Sequence, residues 1–302
     1  MKKYSVIFCT YNREKYIYNA LKSIAEQNFP PHAYEIVLID NKSTDSTEKI
    51  CQLFQADYPS VDFRYFMETN QGLSYARNRG IEESKGEILI FVDDDATVFD
   101  QYLQSIDTFF RKHPEAVAAG GPIVPVYEVD KPRWLSHYTE QLIGGALYEG
   151  TQEKPFQNGK YPGGGNSAFR KSVFQKYGLF NVDLGRKGKG LIGAEEKDLY
   201  DRLTKGSEVF YYLPQMGIHH YIPAKKLTPK HFTELTYSIG KSERIRTRSI
   251  SRELYRSRIL SEIKKWIGSV ILCTFYTLSL APSKGWKLMQ FRWNVTKGLL
   301  GK

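Results

Sequence analysis

The stretch Ile88-Leu89-Ile90-Phe91-Val92-Asp93-Asp94-Asp95 decides how this chain is read. Five consecutive apolar residues, rich in Ile and Val, form the pattern of a buried strand. Three carboxylates follow without a spacer. In an open α/β sheet, ligands bind in the crevice beyond the carboxyl ends of the strands, and carboxylates just past such an end stand at its mouth. Adjacent like charges repel, and a divalent cation bound by hard oxygen ligands relieves that repulsion. An isolated triplet would read as readily as a solvated acidic turn, so the segments around it carry the decision.

Upstream, Ser5–Thr10, Glu35–Ile39 and Phe63–Met67 read as strands. Glu14–Glu26, the segment from Ser43 to Tyr58, and Leu73–Ser84 read as the helices between them. Ile17, Leu21 and Ile24 mark the core face of the first helix, and Ile50, Leu53 and Phe54 that of the second. Downstream, Tyr102–Arg111 is expected to be helical and Ala116–Ala119 a strand. Alternation of this kind over about 100 residues predicts a parallel sheet built from βαβ units. Residues 122–165, rich in Pro, Gly and aromatics, read as irregular. The run Gly163-Gly164-Gly165-Asn166 allows the backbone a close approach to a ligand. A short helix over Lys171–Tyr177, another over Ala194–Lys205 and a strand at Val209–Leu213 complete a first domain, 1–224.

The charge is unevenly spread. The chain of 302 residues has a net charge of +10, but residues 225–302 hold 17 Lys and Arg against 4 Glu, which leaves the rest slightly acidic. A near-neutral body with a strongly basic extension points to an anionic partner, a membrane surface or a nucleic acid. In that second region, Phe232, Leu235 and Ile239 recur at helical spacing, as do Tyr255, Ile259, Ile263 and Ile267. The apolar stretch Trp266–Leu280 is shorter than the roughly 20 residues that span a bilayer. Basic flanks and tryptophans suit a helix lying in a membrane surface, while packing on a second copy would make the same region a homo-dimer interface. Cys9, Cys51 and Cys273 have neither pairing nor metal spacing, which fits buried thiols in a reducing compartment. The N-terminus carries no signal-peptide pattern. The expectation is a cytoplasmic protein, peripheral on the cytoplasmic face of a membrane.

Four segments, in order, resemble the motifs of family 2 glycosyltransferases: Ser5–Ile17 (SVIFCTYNREKYI), Glu35–Thr47 (EIVLIDNKSTDST), Asn70–Asp95 ending in the acidic triplet, and Gly164–Phe180 with Gly193–Leu203 (GAEEKDLYDRL). The likeness covers roughly residues 4–224. It implies a GT-A type, Rossmann-like, mostly parallel sheet flanked by helices, here with a helical, basic C-terminal extension over 225–302. It implies an inverting enzyme that moves a sugar from a nucleotide diphosphate sugar, a UDP-sugar by family habit, to an acceptor hydroxyl. The basic, amphipathic extension suggests that this is a hydroxyl of a glycan or lipid-linked acceptor, in cell-envelope polysaccharide synthesis at a cytoplasmic membrane face.

The resemblance assigns roles residue by residue. Thr10, Tyr11 and Asn12 would line the nucleotide base and Asp40 would accept a hydrogen bond from its ring N–H. Arg77 and Asn78 would face the nucleotide. Asp95 is the leading ligand for Mn²⁺ or Mg²⁺, Asp93 would touch ribose or metal, and Asp94 has the least defined role. Glu196 aligns with the general base that the acceptor hydroxyl requires; Glu195 is the alternative, and Asp198 would touch the acceptor or hold a basic residue. Of the adjacent His219 and His220, the reading favours His219 near the metal. Gly165, Asn166 and Trp134 are candidates for the acceptor site, Trp134 equally as a core residue.

Other classes fit less well. Processive synthases of the broad family carry a Q-x-x-R-W motif between membrane spans, and Gln290-Phe291-Arg292-Trp293 is one residue short of it. No nucleic-acid-binding module accompanies the basic extension. A nucleotidyltransferase would carry a glycine-rich signature near its N-terminus, and Ser5–Arg13 contains no glycine.

Overall fold

The computed structural model describes residues 2–302. The strands are β1 (Tyr4–Thr10), β2 (Tyr34–Asp40), β3 (Phe63–Met67), β4 (Ile88–Asp93), β5 (Ala96–Val98), β6 (Ala116–Gly120), β7 (Ile123–Tyr127), β8 (Lys154–Pro155), β9 (Asn166–Arg170), β10 (Val209–Tyr212) and β11 (Ile218–Ile222). The α-helices are α1 (Ile17–Ala25), α2 (Thr47–Asp57), α3 (Leu73–Glu83), α4 (Tyr102–Lys112), α5 (His137–Gly144), α6 (Ser172–Tyr177), α7 (Glu195–Lys205), α8 (Pro229–Ile250), α9 (Arg252–Leu278) and α10 (Pro282–Leu300).

Eight strands form the main sheet in the order β3-β2-β1-β4-β9-β6-β10-β8. The first four are parallel, joined by the crossovers the βαβ pattern predicts. β9 then runs antiparallel between β4 and β6. Every residue of β2 is buried, as are Ile88–Val92 of β4, because helices cover both faces. Full burial of each such Ile, Leu or Phe stabilises the fold by about 1.5–3 kcal/mol. The ends of β1, β2 and β4 are level: Thr10 lies opposite Asp40, and Cys9 opposite Asp93. Register alone therefore brings three of the sequence motifs to one edge. A second sheet has the order β5-β11-β7.

Several elements differ from expectation. Residues 122–165 are not wholly irregular but contain β7 and α5, the latter opened by a capping box in which Ser136 and Thr139 satisfy each other's backbone. Leu53, expected in the core, is half exposed; Thr47, Cys51 and Phe54 are the buried residues of α2. On α9, Ile263 and Ile267 are exposed although they recur at helical spacing.

The chain divides into two compact units: residues 1–124, 147–182 and 196–220, and residues 125–146, 183–195 and 221–302. The boundary expected at 224 therefore omits two earlier segments that belong with the C-terminal region. In the second unit, Leu135, Ile143, Phe232, Leu235, Phe291 and Val295 share one core. α8 and α10 meet backbone to backbone at Gly240 and Gly298, where any β-carbon would strike the facing helix. Arg292 donates to Glu262 at 2.9 Å, so the Gln290–Trp293 run is part of a helix–helix contact. No helix among the described residues is long and apolar enough to cross a membrane.

Candidate active site

The site begins at the end of β4. The Asp93 N–H donates to Gly165 O at 3.0 Å, and a β-carbon on Gly165 would occupy the place of the Asp93 carboxylate. At the neighbouring Gly164, a β-carbon would lie 2.5 Å from Glu196 Oε1 and 2.9 Å from Arg77 Nη2. The glycine run thus admits the chain's own carboxylates, and two adjacent glycines hold Asp93 and Glu196 on one short piece of backbone. Arg77 is buried on α3, donates to Gly164 O at 3.1 Å and lies over the Phe180 ring at 5.2 Å.

Asp94 and Asp95 are both buried. Burial pushes the Asp94 carboxyl above its ordinary value, with Arg13 and the Thr10 hydroxyl acting against that shift. Arg13 Nε donates to Asp94 Oδ1 at 2.9 Å, and Arg13 Nη2 lies 3.5 Å from Asp95 Oδ2. This guanidinium, held firmly protonated chiefly by Asp94, escaped the sequence reading. The signal was there: three packed carboxylates demand a cation, and Arg13 lies in the first motif.

The antiparallel pairing of β11 with β5 sets His220 opposite Ala96, next to Asp95. His220 Nε2 stands 3.1 Å from Asp95 Oδ1. His219 points to the other face, where its ring lies 5.0 Å from that of Phe99. The histidine beside the carboxylates is therefore His220 and not the favoured His219, because side chains alternate along a strand. Asp93, Asp95 and His220 each offer one ligand atom within 4.8 Å of the others.

The remaining candidates sort by their partners. Asp40 is buried; its Oδ1 accepts from the Ser43 N–H at 2.7 Å and its Oδ2 from the Tyr65 hydroxyl at 2.8 Å. Asn12, at a left-handed φ of 55°, accepts from the Thr44 N–H at 2.7 Å and ties the first loop to the second. Tyr11 is half-buried beside it. Asn78 bonds the Phe180 backbone in both directions at 2.9 Å and so fixes a loop. Asn166 is likewise structural: buried, it donates to Met216 O at 2.8 Å and accepts from the Tyr102 hydroxyl at 2.8 Å. Asp198 pairs with Arg202 at 3.1 Å, and Arg202 donates to the carbonyls of Gly178 and Leu179, so Asp198 holds a basic residue. Glu195 is buried and Glu196 half-buried at the start of α7, after Ala194 at a φ of 74°. A left-handed non-glycine residue is the kind of strain that gathers at functional sites. Trp134 belongs to the second unit, 5.4 Å from Phe232 and beneath Lys287, as a packing residue.

The chain is 28% identical to a glucosyl-dolichyl phosphate glucuronosyltransferase of Haloferax volcanii, over 72% of this chain and 69% of that protein. It is 31% identical to a GalNAc(5)-diNAcBac-PP-undecaprenol beta-1,3-glucosyltransferase of Campylobacter jejuni, over 58% of this chain and 54% of that protein. Among solved structures, a mannosyltransferase of Pyrobaculum calidifontis in complex with GDP-Man and Mn²⁺ superposes with a TM-score of 0.69 at 18% identity, covering 99% of this chain and 88% of that one. That likeness establishes the GT-A type fold. The sequence profile described as glycosyl transferase family 2 matches residues 5–178, more than half of the chain, and the chain therefore belongs to that family and is a glycosyltransferase.

Proposed function

We propose that this enzyme transfers a sugar, with inversion, from a nucleoside diphosphate sugar to a hydroxyl of a lipid-linked or glycan acceptor during cell-envelope polymer synthesis. The observation that carries the reading is the Gly164-Gly165 pair, with the candidate base Glu196 against one residue and Asp93 of the acidic triplet against the next. One group must take a proton while another site receives the charge of a departing diphosphate, and both must lie close together. The relatives whose names include dolichyl phosphate or undecaprenol support a lipid-linked acceptor.

The donor set fits a divalent cation, Mn²⁺ or Mg²⁺. Two carboxylates and an imidazole converge, and Asp95 and His220 approach to 3.1 Å. Asp93, Asp95 and His220 would hold such a cation, which would supply Lewis-acid stabilisation for the charge of a leaving diphosphate. Arg13 compensates Asp94 and keeps the triplet packed. Glu196 takes the proton of the acceptor hydroxyl as that oxygen attacks the anomeric carbon, and Arg77 beside it orients its carboxylate. A single displacement of this kind inverts the anomeric centre. On the nucleoside side, each Asp40 oxygen keeps a second lone pair for the ring N–H of a base, which suits uracil or guanine and not cytosine or adenine, with Thr10, Tyr11 and Asn12 alongside.

The test is to incubate the enzyme with a panel of nucleotide sugars and a polyprenyl-phosphate sugar acceptor, then read the product anomer by NMR. An inverted linkage formed from one donor supports the proposal. A retained configuration overturns it.

A further inference from the structure

The tip of the α9–α10 hairpin carries several of the most exposed large apolar side chains among the described residues. The helices run antiparallel: the Tyr255 hydroxyl donates to Leu299 O at 2.9 Å, and Gly285 packs against Cys273. Phe275 is 61% exposed, Leu278 79%, Leu280 92% and Trp286 71%. Residues 266–283 carry no charged side chain, and Lys264, Lys265, Lys284 and Lys287 bracket them.

Part of the backbone at this tip is satisfied within the chain. The N–H groups of Ser279, Leu280 and Ala281 donate to the carbonyls of Phe275, Thr277 and Tyr276, and Pro282 has none to satisfy. The hydroxyls of Thr274 and Thr277 donate back to Val270 O and Cys273 O. Hydrocarbon requires such internal satisfaction of polar groups. The turn also holds Leu280 at a φ of 57°, a conformation that a water-facing turn assigns to Gly or Asn.

Length and charge select the occupant. The lysine nearest the tip sets the depth: Gly285, next to Lys284, packs against Cys273. The helix from Cys273 to Leu278 rises about 8 Å, too little to cross a hydrocarbon core of about 30 Å but enough to pass the headgroups of one leaflet. The flanking lysines complement anionic headgroups, and Trp286 suits the interface. We propose that this hairpin tip is a one-leaflet anchor: Phe275, Leu278, Leu280 and Trp286 enter an anionic phospholipid bilayer while the lysines remain at headgroup level. This differs from a helix lying flat in the surface, and it stands whichever donor and acceptor the enzyme uses.

The test uses the full chain with vesicles of phosphatidylcholine containing phosphatidylglycerol, beside vesicles of phosphatidylcholine alone. The wild type is expected to sediment with the anionic vesicles, and the triple variant Leu278→Glu, Leu280→Glu, Trp286→Glu to lose at least about tenfold in partitioning. A second measurement is independent of how that variant folds. Brominated acyl chains should quench the wild-type tryptophan fluorescence, and Trp286→Phe should remove most of the quenching while binding persists. Equal sedimentation of wild type and triple variant, or no quenching of Trp286, overturns the proposal. A dimer that the glutamates split, without vesicle binding, assigns the tip to a second copy and also overturns it.

Discussion

His220 Nε2 stands 3.1 Å from Asp95 Oδ1, whereas His219, one residue earlier, faces the Phe99 ring. Adjacent histidines of equal chemistry are thus separated by the pleat of one strand. His220→Ala is expected to reduce turnover at least about 100-fold, and His219→Ala to leave it within a few fold. Steady-state kinetics of the two variants at saturating divalent cation check this.

The two glycines of the site should respond differently to the same substitution. Gly165→Ala puts a methyl where the Asp93 carboxylate sits, and Asp93 is tied there by its own backbone hydrogen bond to Gly165 O. A loss of about 1–3 kcal/mol in stability is expected, together with activity. Gly164→Ala meets the far end of Glu196 at 2.5 Å, which can swing aside. Its melting temperature should hold while kcat falls. Thermal melts and kinetics on both variants separate the two effects.

Glu196→Gln keeps shape and removes the base. A fall in kcat of about 10²- to 10⁴-fold is expected, with donor binding by calorimetry unchanged. Glu195→Gln, tested beside it, should retain most of the turnover.

The legible parts of this chain were those written in periodicity and motif order. The strand–helix alternation gave β1 to β4, and the ends of those strands brought Thr10, Asp40 and Asp93 together. β9 was missed because Asn166–Arg170 directly follows three glycines and mixes Asn166, Ser167 and Arg170 with only Ala168 and Phe169, so it shows neither an apolar run nor a clear alternation. The His220 assignment was available in principle. In Ile218-His219-His220-Tyr221-Ile222 the residues 218, 220 and 222 share the buried face, so period-two alternation selects the second histidine. Asn78 and Asn166 could not have been sorted from sequence, since their partners are backbone atoms of distant segments. Leu53 satisfies a helical apolar pattern, yet it lies on the exposed side of α2, whose core contacts come from Cys51 and Phe54.

Away from the site, Asp107 anchors the start of β1. Its Oδ1 accepts from Lys3 Nζ at 2.9 Å and from the Tyr4 hydroxyl. Burial opposes its charge, but the hydrogen bonds from Tyr4 and Lys3 together with the charges of Lys3 and Arg111 outweigh burial and hold its carboxyl below the ordinary range. A depressed carboxylate stabilises the fold above its unfolded pKa of about 3.9 and loses that contribution as pH falls through the folded value. Asp107→Asn should cost about 1–3 kcal/mol near neutral pH, and the difference from wild type should shrink below about pH 4. Denaturant unfolding across that range checks it.

The thiols make a simpler prediction. Burial pushes Cys9 and Cys51 up to about 12, so both stay protonated at pH 8. Neither should react with iodoacetamide in the folded enzyme, and both should react after denaturation. Mass spectrometry of labelled peptides reads this directly.

The most direct test of the central claim is nucleotide release from a panel of nucleotide sugars, with and without Mn²⁺ or Mg²⁺, comparing wild type with Asp95→Ala. The account predicts cation-dependent release of one nucleotide diphosphate, abolished in the variant. Release that is indifferent to cation and to Asp95, or no turnover and no binding of any nucleotide diphosphate, would contradict it.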